Sequence, residues 1–172
     1  MSSEVAQSAA RFAKELQALV DETIKPPSET APSTAEPVIY LAMVRKTRGY
    51  LEKLSHQING AYAHGWYDAC AVMIRRLVET LIIEVYEAHQ IQDRIKDANG
   101  DYFFLRDLVG LVIAERAWTI GRNARKALPR IKDLGDKAAH NRRYNAHRED
   151  IDKVLEDLRT LVQELLSLAK LK

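Results

Sequence analysis

A chain of 172 residues with 47% hydrophobic content has enough apolar material for one domain with a substantial core, which excludes a disordered chain. The single cysteine, Cys70, excludes an internal disulfide, and its apolar helical surroundings mark it as a small core residue. The formal net charge is only +2, but it is unevenly spread: nine basic residues against two acidic ones fall between Arg122 and Arg148.

Glycine and proline are scarce, four of the five prolines crowd into residues 26–37, and Ala, Leu, Glu, Lys and Arg dominate the remainder. These are good helix formers, so the composition predicts an all-α protein. The N-terminal residues alternate polar and apolar without the continuous apolar stretch of a signal peptide. No apolar run approaches the length of a membrane span. A soluble, cytoplasmic protein with no membrane contact is expected.

Along the chain, Val5, Ala9, Phe12, Leu16 and Leu19 recur in steps of four and three, predicting an amphipathic helix over residues 1–25. Residues 26–37, PPSETAPSTAEP, read as an extended linker. The first helix is therefore a separate attachment, able to grip a protein partner, and the helical domain proper spans 38–172. Leu51, Leu54, Ile58 and Ala61 mark one helix face, which ends at Ala63-His64-Gly65. A longer apolar helix follows from Trp66 to about Gln90, with Trp66, Ala69, Cys70, Met73, Leu77 and Leu81 facing one way.

On that helix Arg75 is expected in solvent and Arg76 inside the apolar arc. Glu79 follows Arg76 by three residues and can neutralise it. The competing reading of Arg76 is an anion or phosphate site. Residues 91–101 form a polar connection with an Asn-Gly turn, and Tyr102 to Arg116 is helical again. Residues 117–127 read as irregular or weakly helical, and Pro129 is placed in the first turn of a short helix carrying Ile131, Leu134 and Ala138. In the last helix Ile151, Leu155, Leu158, Val162, Leu165 and Ala169 form one seam, and Val154, Leu161 and Leu168 a second. Two seams imply burial on two sides, hence a homodimer.

The segment Gly135-Asp136-Lys137-Ala138-Ala139-His140 carries the most chemistry. His140 falls near a helix C-terminus, where the backbone dipole favours imidazolium, and an imidazole can exchange a proton near neutral pH. Asp136 lies one helical turn earlier and could face the ring. The plain alternative is a solvent-facing histidine at a helix end. The basic excess around it suggests a polyanion partner, RNA or a nucleotide, with Arg130, Lys137, Arg142, Arg143 and His147 as binding residues. Neither zinc-type spacing of the five histidines nor a glycine-rich phosphate loop is present, so no metal and no cofactor are expected.

Two segments, Ala61-Tyr62 through Asp68-Ala69-Cys70 to Arg75-Arg76-Leu77-Val78-Glu79, and Gly135 to His140, together resemble the HEPN superfamily. Within it they resemble a bacterial group of unknown function marked by a Gly-Asn-x-Ala-Ala-His signature. The resemblance covers roughly residues 40–170. It implies an antiparallel four-helix bundle, here with an extra N-terminal amphipathic helix. Many members of that superfamily are metal-independent ribonucleases, with an Arg and a His separated by four to six intervening residues, paired in one cleft by two subunits. The resemblance would make His140, Asp136, Arg76 and Glu79 the catalytic set, with His140 moving the proton and an arginine stabilising charge on the phosphate. The positions where that Arg would precede His140 hold Asp133, Leu134 and Gly135, and Asp136 replaces the signature Asn. Arg142 and His147 make a formal match in the turn into the last helix, and Arg130 or Arg76 could replace the missing cation through space. The reading is therefore a dimeric HEPN-like module, non-catalytic, that binds nucleic acid, nucleotide or a protein partner. Its alternatives are a metal-independent ribonuclease, as toxin or phage-defence effector, and a helical scaffold or antitoxin-like partner.

Overall fold

The computed structural model describes residues 11–15 and 36–172, and the chain divides into two compact units, Met1–Ala31 and Pro32–Lys172. In the first unit residues 11–15 are helical, Arg11 Nε pairs with Glu15 Oε1 at 3.1 Å, and Phe12 is exposed. The rest of the expected N-terminal seam and most of the proline-rich stretch lie outside the described residues.

The second unit is all-helical: α1 (Leu41–Val44), α2 (Gly49–Ala63), α3 (Tyr67–Ala88), α4 (Leu105–Ala114), α5 (Arg122–His140), α6 (Arg148–Asp152) and α7 (Leu155–Leu168), with a 3₁₀ turn at Gln92–Ile95. Gly65 adopts φ +75° in the expected break between α2 and α3, a conformation that a Cβ would strain. Gly100, at φ +88°, follows Asn99 in a turn that the Asp97 carboxylate holds by accepting the Asn99 and Asp101 amides at 2.8 and 3.0 Å.

The contacts fix the helix directions. Tyr62 and Tyr67 meet edge to face across the α2–α3 turn, while Tyr50 and Arg48 at the start of α2 reach Glu84 near the end of α3, so these two helices are antiparallel. Trp118, just before α5, stacks on Tyr86 near the end of α3, and Asp136 near the end of α5 pairs with Arg75 nearer the start of α3. These are antiparallel as well. Helix α7 opposes α5 in turn: the Gly121 amide donates to Glu164 at 2.5 Å, and Arg130 pairs with Asp157. Helix α3 is the centre. Its Cys70, Ala71, Ile74, Leu77, Val78, Leu81, Ile82 and Val85 are all buried, because apolar residues at three- and four-residue steps cover a broad arc. Burial pushes the Cys70 thiol up to about 12, so it stays protonated and serves as packing.

Three expectations change. The stretch split at Pro129 is one helix of 19 residues starting at the Gly121 break. Pro129 sits on its exposed face, where the carbonyl left without its N–H partner can tilt into water. The last helix is interrupted at Lys153–Val154 into α6 and α7. Most of both seams is covered by the chain itself: Ile151, Leu158, Val162, Leu165 and Ala169 of the first, and Val154 and Leu161 of the second, are buried, while Leu155 and Leu168 are half-buried. Trp66, expected among the inward residues, is 39% exposed.

Arg159 locks the start of the domain to α7. Its guanidinium is 8% exposed, donates to the Pro37 and Val38 carbonyls at 2.6 and 3.2 Å, and stacks over Tyr40. Because Leu158 beside it is fully buried, Leu158→Glu should abolish the cooperative thermal transition followed by circular dichroism, since an unpaired carboxylate has no place there. Leu158→Ala should lower stability in urea by about 2–5 kcal/mol. A Leu158→Glu protein that melts like the parent would place this seam outside the core.

Candidate functional site

The two segments singled out by sequence meet where α5 crosses α3. A Cβ built at Gly135 would stand 2.5 Å from the Arg75 Cβ, closer than any two such carbons approach, so only glycine lets the helices come this near. The close approach delivers Asp136 to the Arg75 guanidinium: Nε donates to Oδ1 at 2.8 Å. From the other side Lys132, one turn earlier on α5, holds Oδ2 at 3.0 Å, and Arg75 also reaches Glu79 at 3.5 Å. Arg75, Glu79, Lys132 and Asp136 are all half-buried. Burial would raise the Asp136 carboxyl, but the hydrogen bonds from Lys132 and Arg75 outweigh it, and the group lies below the usual carboxylate range.

This network revises the expected catalytic set. The solvent-facing and partnered arginines are exchanged: Arg76 is exposed, and Arg75 is the one that takes Glu79. The reason lies in the centre of the apolar arc. With Ile74 and Val85 at its middle, about 100° per residue puts Arg75 at the edge of the arc and Arg76 nearly opposite. Asp136 makes no hydrogen bond to His140; its two oxygens accept from Arg75 and Lys132. His140 is the last residue of α5, as expected, and is exposed. Arg130 does not replace the missing cation within the chain. It precedes His140 by ten residues of the same helix, about 15 Å along the axis, and it is paired with Asp157 at 2.5 Å. Sequence reasoning passed over Lys132 and Arg75, although the four-residue spacings Lys132–Asp136 and Arg75–Glu79 were there to be read.

Of the expected binding residues, Lys137, Arg142, Arg143 and His147 are exposed. The solvent face of α5 also presents Arg122, Arg125 and Lys126. Beyond His140 the chain crosses over the start of α3: the Ala146 amide donates to Asp68 at 2.8 Å, and Arg148 then reaches Tyr62 at the end of α2, its Nε 3.1 Å from the hydroxyl. The Tyr62 hydroxyl donates in turn to Asp152. Burial, then the bond to Asp150, pushes the neighbouring Tyr144 phenol up to about 12. Among the described residues, no three His, Cys, Asp or Glu side chains gather as a metal site requires, and no helix is long and apolar enough to cross a membrane.

The chain belongs to the family described as Domain of unknown function (DUF4145), whose model matches residues 56–172. That match contains both the α3 segment and the Gly135–His140 segment. No curated protein and no solved structure matches the chain.

The contact predicts a reversal of the usual helix rule. Glycine to alanine inside a helix ordinarily stabilises by up to about 1 kcal/mol; Gly135→Ala should instead destabilise by about 1–3 kcal/mol in urea, because the helices must part. Asp136 gives a pH signature. Its carboxyl is depressed in the folded state, so its contribution is present above the unfolded value near 4 and is lost as pH falls through the lower folded value. Asp136→Asn should therefore flatten the acid limb of the stability curve below about pH 4, measured by urea melts across pH. An unchanged acid limb would mean that the ion pairs contribute nothing.

Proposed function

We propose that this DUF4145 domain is a HEPN-like antiparallel four-helix bundle that binds a nucleic-acid phosphate backbone along the exposed face of α5 and does not cleave it. The carrying observation is a run of cations without carboxylate partners. Arg122, Arg125, Lys126, Lys137, Arg142 and Arg143 are exposed and make no ion pair among the described residues, while Lys132, Arg130 and Arg148 are neutralised nearby. Leaving six cations unpaired along one helix face and the loop beyond it is costly by self-repulsion unless a polyanion lies against them.

Support for a bundle of this type comes from the antiparallel directions of α2, α3, α5 and α7 and from the meeting of the two signature segments at Gly135 and Arg75. A non-catalytic role is favoured because neither a carboxylate nor the motif arginine is placed with His140. Asp136, one turn back, pairs with Arg75 and Lys132, and Arg130, ten residues earlier on the same helix, pairs with Asp157. General acid–base cleavage needs the histidine and a cation around the same phosphate.

Fluorescence anisotropy with a labelled RNA should show binding that weakens steeply with salt. The triple change Arg122→Glu, Arg125→Glu and Lys126→Glu should reduce affinity and flatten the slope of log K against log salt by about 2–3, one counterion contribution per lost contact. Arg106→Glu, on α4 and already paired with Asp107, should leave both unchanged. The RNA should be recovered intact after incubation in EDTA. Cleavage that disappears in His140→Ala would overturn the non-catalytic reading, and absence of binding at low salt would overturn the whole.

A further inference from the structure

We infer that the end of the domain where α2 meets α3 selects single-stranded nucleic acid, with Trp66 as the stacking surface for an unpaired base. The inference rests on the phosphate-binding reading above and adds the form of nucleic acid that is recognised. Three chain segments converge at this end. Helix α2 finishes at Ala63 and α3 starts at Tyr67, so His64, Gly65 and Trp66 form the rim. The loop after α5, carrying Arg142 and Arg143, is tied to the start of α3 through Ala146 and Asp68. Arg148 then lies over the Tyr62 ring, 5.4 Å from its centroid, with its side chain 60% exposed. The cationic face of α5 therefore runs out onto a rim of exposed rings.

Trp66 is built as a platform. The residue is 39% exposed, its backbone amide is fixed to the Ala61 carbonyl at 2.8 Å, and its ring stands 5.3 Å from that of His64 at an interplanar angle of 37°. His64 is anchored in turn, its Nδ1 lying 2.9 Å from the Gly60 carbonyl. Gly65, at φ +75°, is what lets the chain hold both rings at so tight a turn. The indole N–H has no hydrogen-bond partner among the described residues. A half-open indole at the end of the domain to which the loop carrying Arg142 and Arg143 is tied offers the combination that single strands use: phosphates on the cations, a base face on the ring. A duplex cannot offer that face without unstacking, and gains only the phosphate contacts.

The test compares a labelled 12-nucleotide RNA as single strand, as duplex, and as a single strand with an abasic site. The wild type should prefer the intact single strand over the duplex. Trp66→Ala should lose about tenfold or more for the single strand and little for the duplex, within the range base stacking spans. Trp66→Phe should keep part of the preference. The single strand should also quench the intrinsic fluorescence of the wild type and not that of Trp66→Phe, whose remaining tryptophan, Trp118, is buried against Tyr86. Equal affinity for all three ligands, unmoved by Trp66→Ala and without quenching, would overturn this inference while leaving phosphate binding standing. No binding of any of them at low salt would overturn both.

Discussion

The ion-pair network between α3 and α5 follows from one distance, the gap between the two helices at Gly135. A glycine inside a 19-residue helix is unfavourable on propensity, by about 1 kcal/mol against alanine. It is kept because the Arg75 stem fills the space where a side chain would be. That approach brings a guanidinium and a carboxylate to 2.8 Å at a half-buried site, where the pair is stronger than it would be in bulk water. The glycine and the ion pair are thus one device: the first sets the distance, and the second makes the close register specific, since a shift of α5 by one residue would leave Arg75 without Asp136.

The same device decides what His140 can do. A carboxylate one turn before a histidine often orients the ring by accepting its N–H, but Asp136 makes no such bond to His140. Here Arg75 takes one oxygen and Lys132 the other. The network thereby separates two roles that the signature segment could have combined: Asp136 serves packing between helices, and His140 is left at the helix end among exposed cations, where the negative end of the α5 dipole lies.

Much of the fold was legible in the sequence because the signals were strong and local. Gly65 and the Asn99-Gly100 pair fell at turns whose positive φ angles glycine relieves, and the apolar steps of α2 and α3 matched buried arcs. What failed depended on a phase or on a partner. The arc of α3 was centred too near Trp66 and Met73, an error of under one residue's rotation that exchanged Arg75 for Arg76. Pro129 was read as a helix start, since a local rule cannot see that an exposed proline leaves its orphaned carbonyl to water. The double seam of the last helix did not reveal which neighbours fill it, and α3 and α5 of the same chain cover most of it. The cross-helix pair Arg75–Asp136 joins residues 61 positions apart, and no periodicity predicts such a contact.

The loop between α5 and α6 links this central register to the surface. It leaves α5 at His140, is pinned to α3 through Asp68, and is closed by the Asp150 carboxylate, which accepts both the Tyr144 hydroxyl at 2.9 Å and the His147 amide at 3.0 Å. Because these bonds fix the backbone on both sides of Asn145, Arg142 and Arg143 are carried by an ordered arch. Their guanidinium groups start from defined positions, so less side-chain freedom is lost when they meet an anion than from a loose tail. The position of the arch is set by the depth at which α5 sits on α3. The glycine that brings Arg75 and Asp136 together therefore also determines where the cations stand relative to Trp66, and the packing of the core and the geometry of the surface are a single choice.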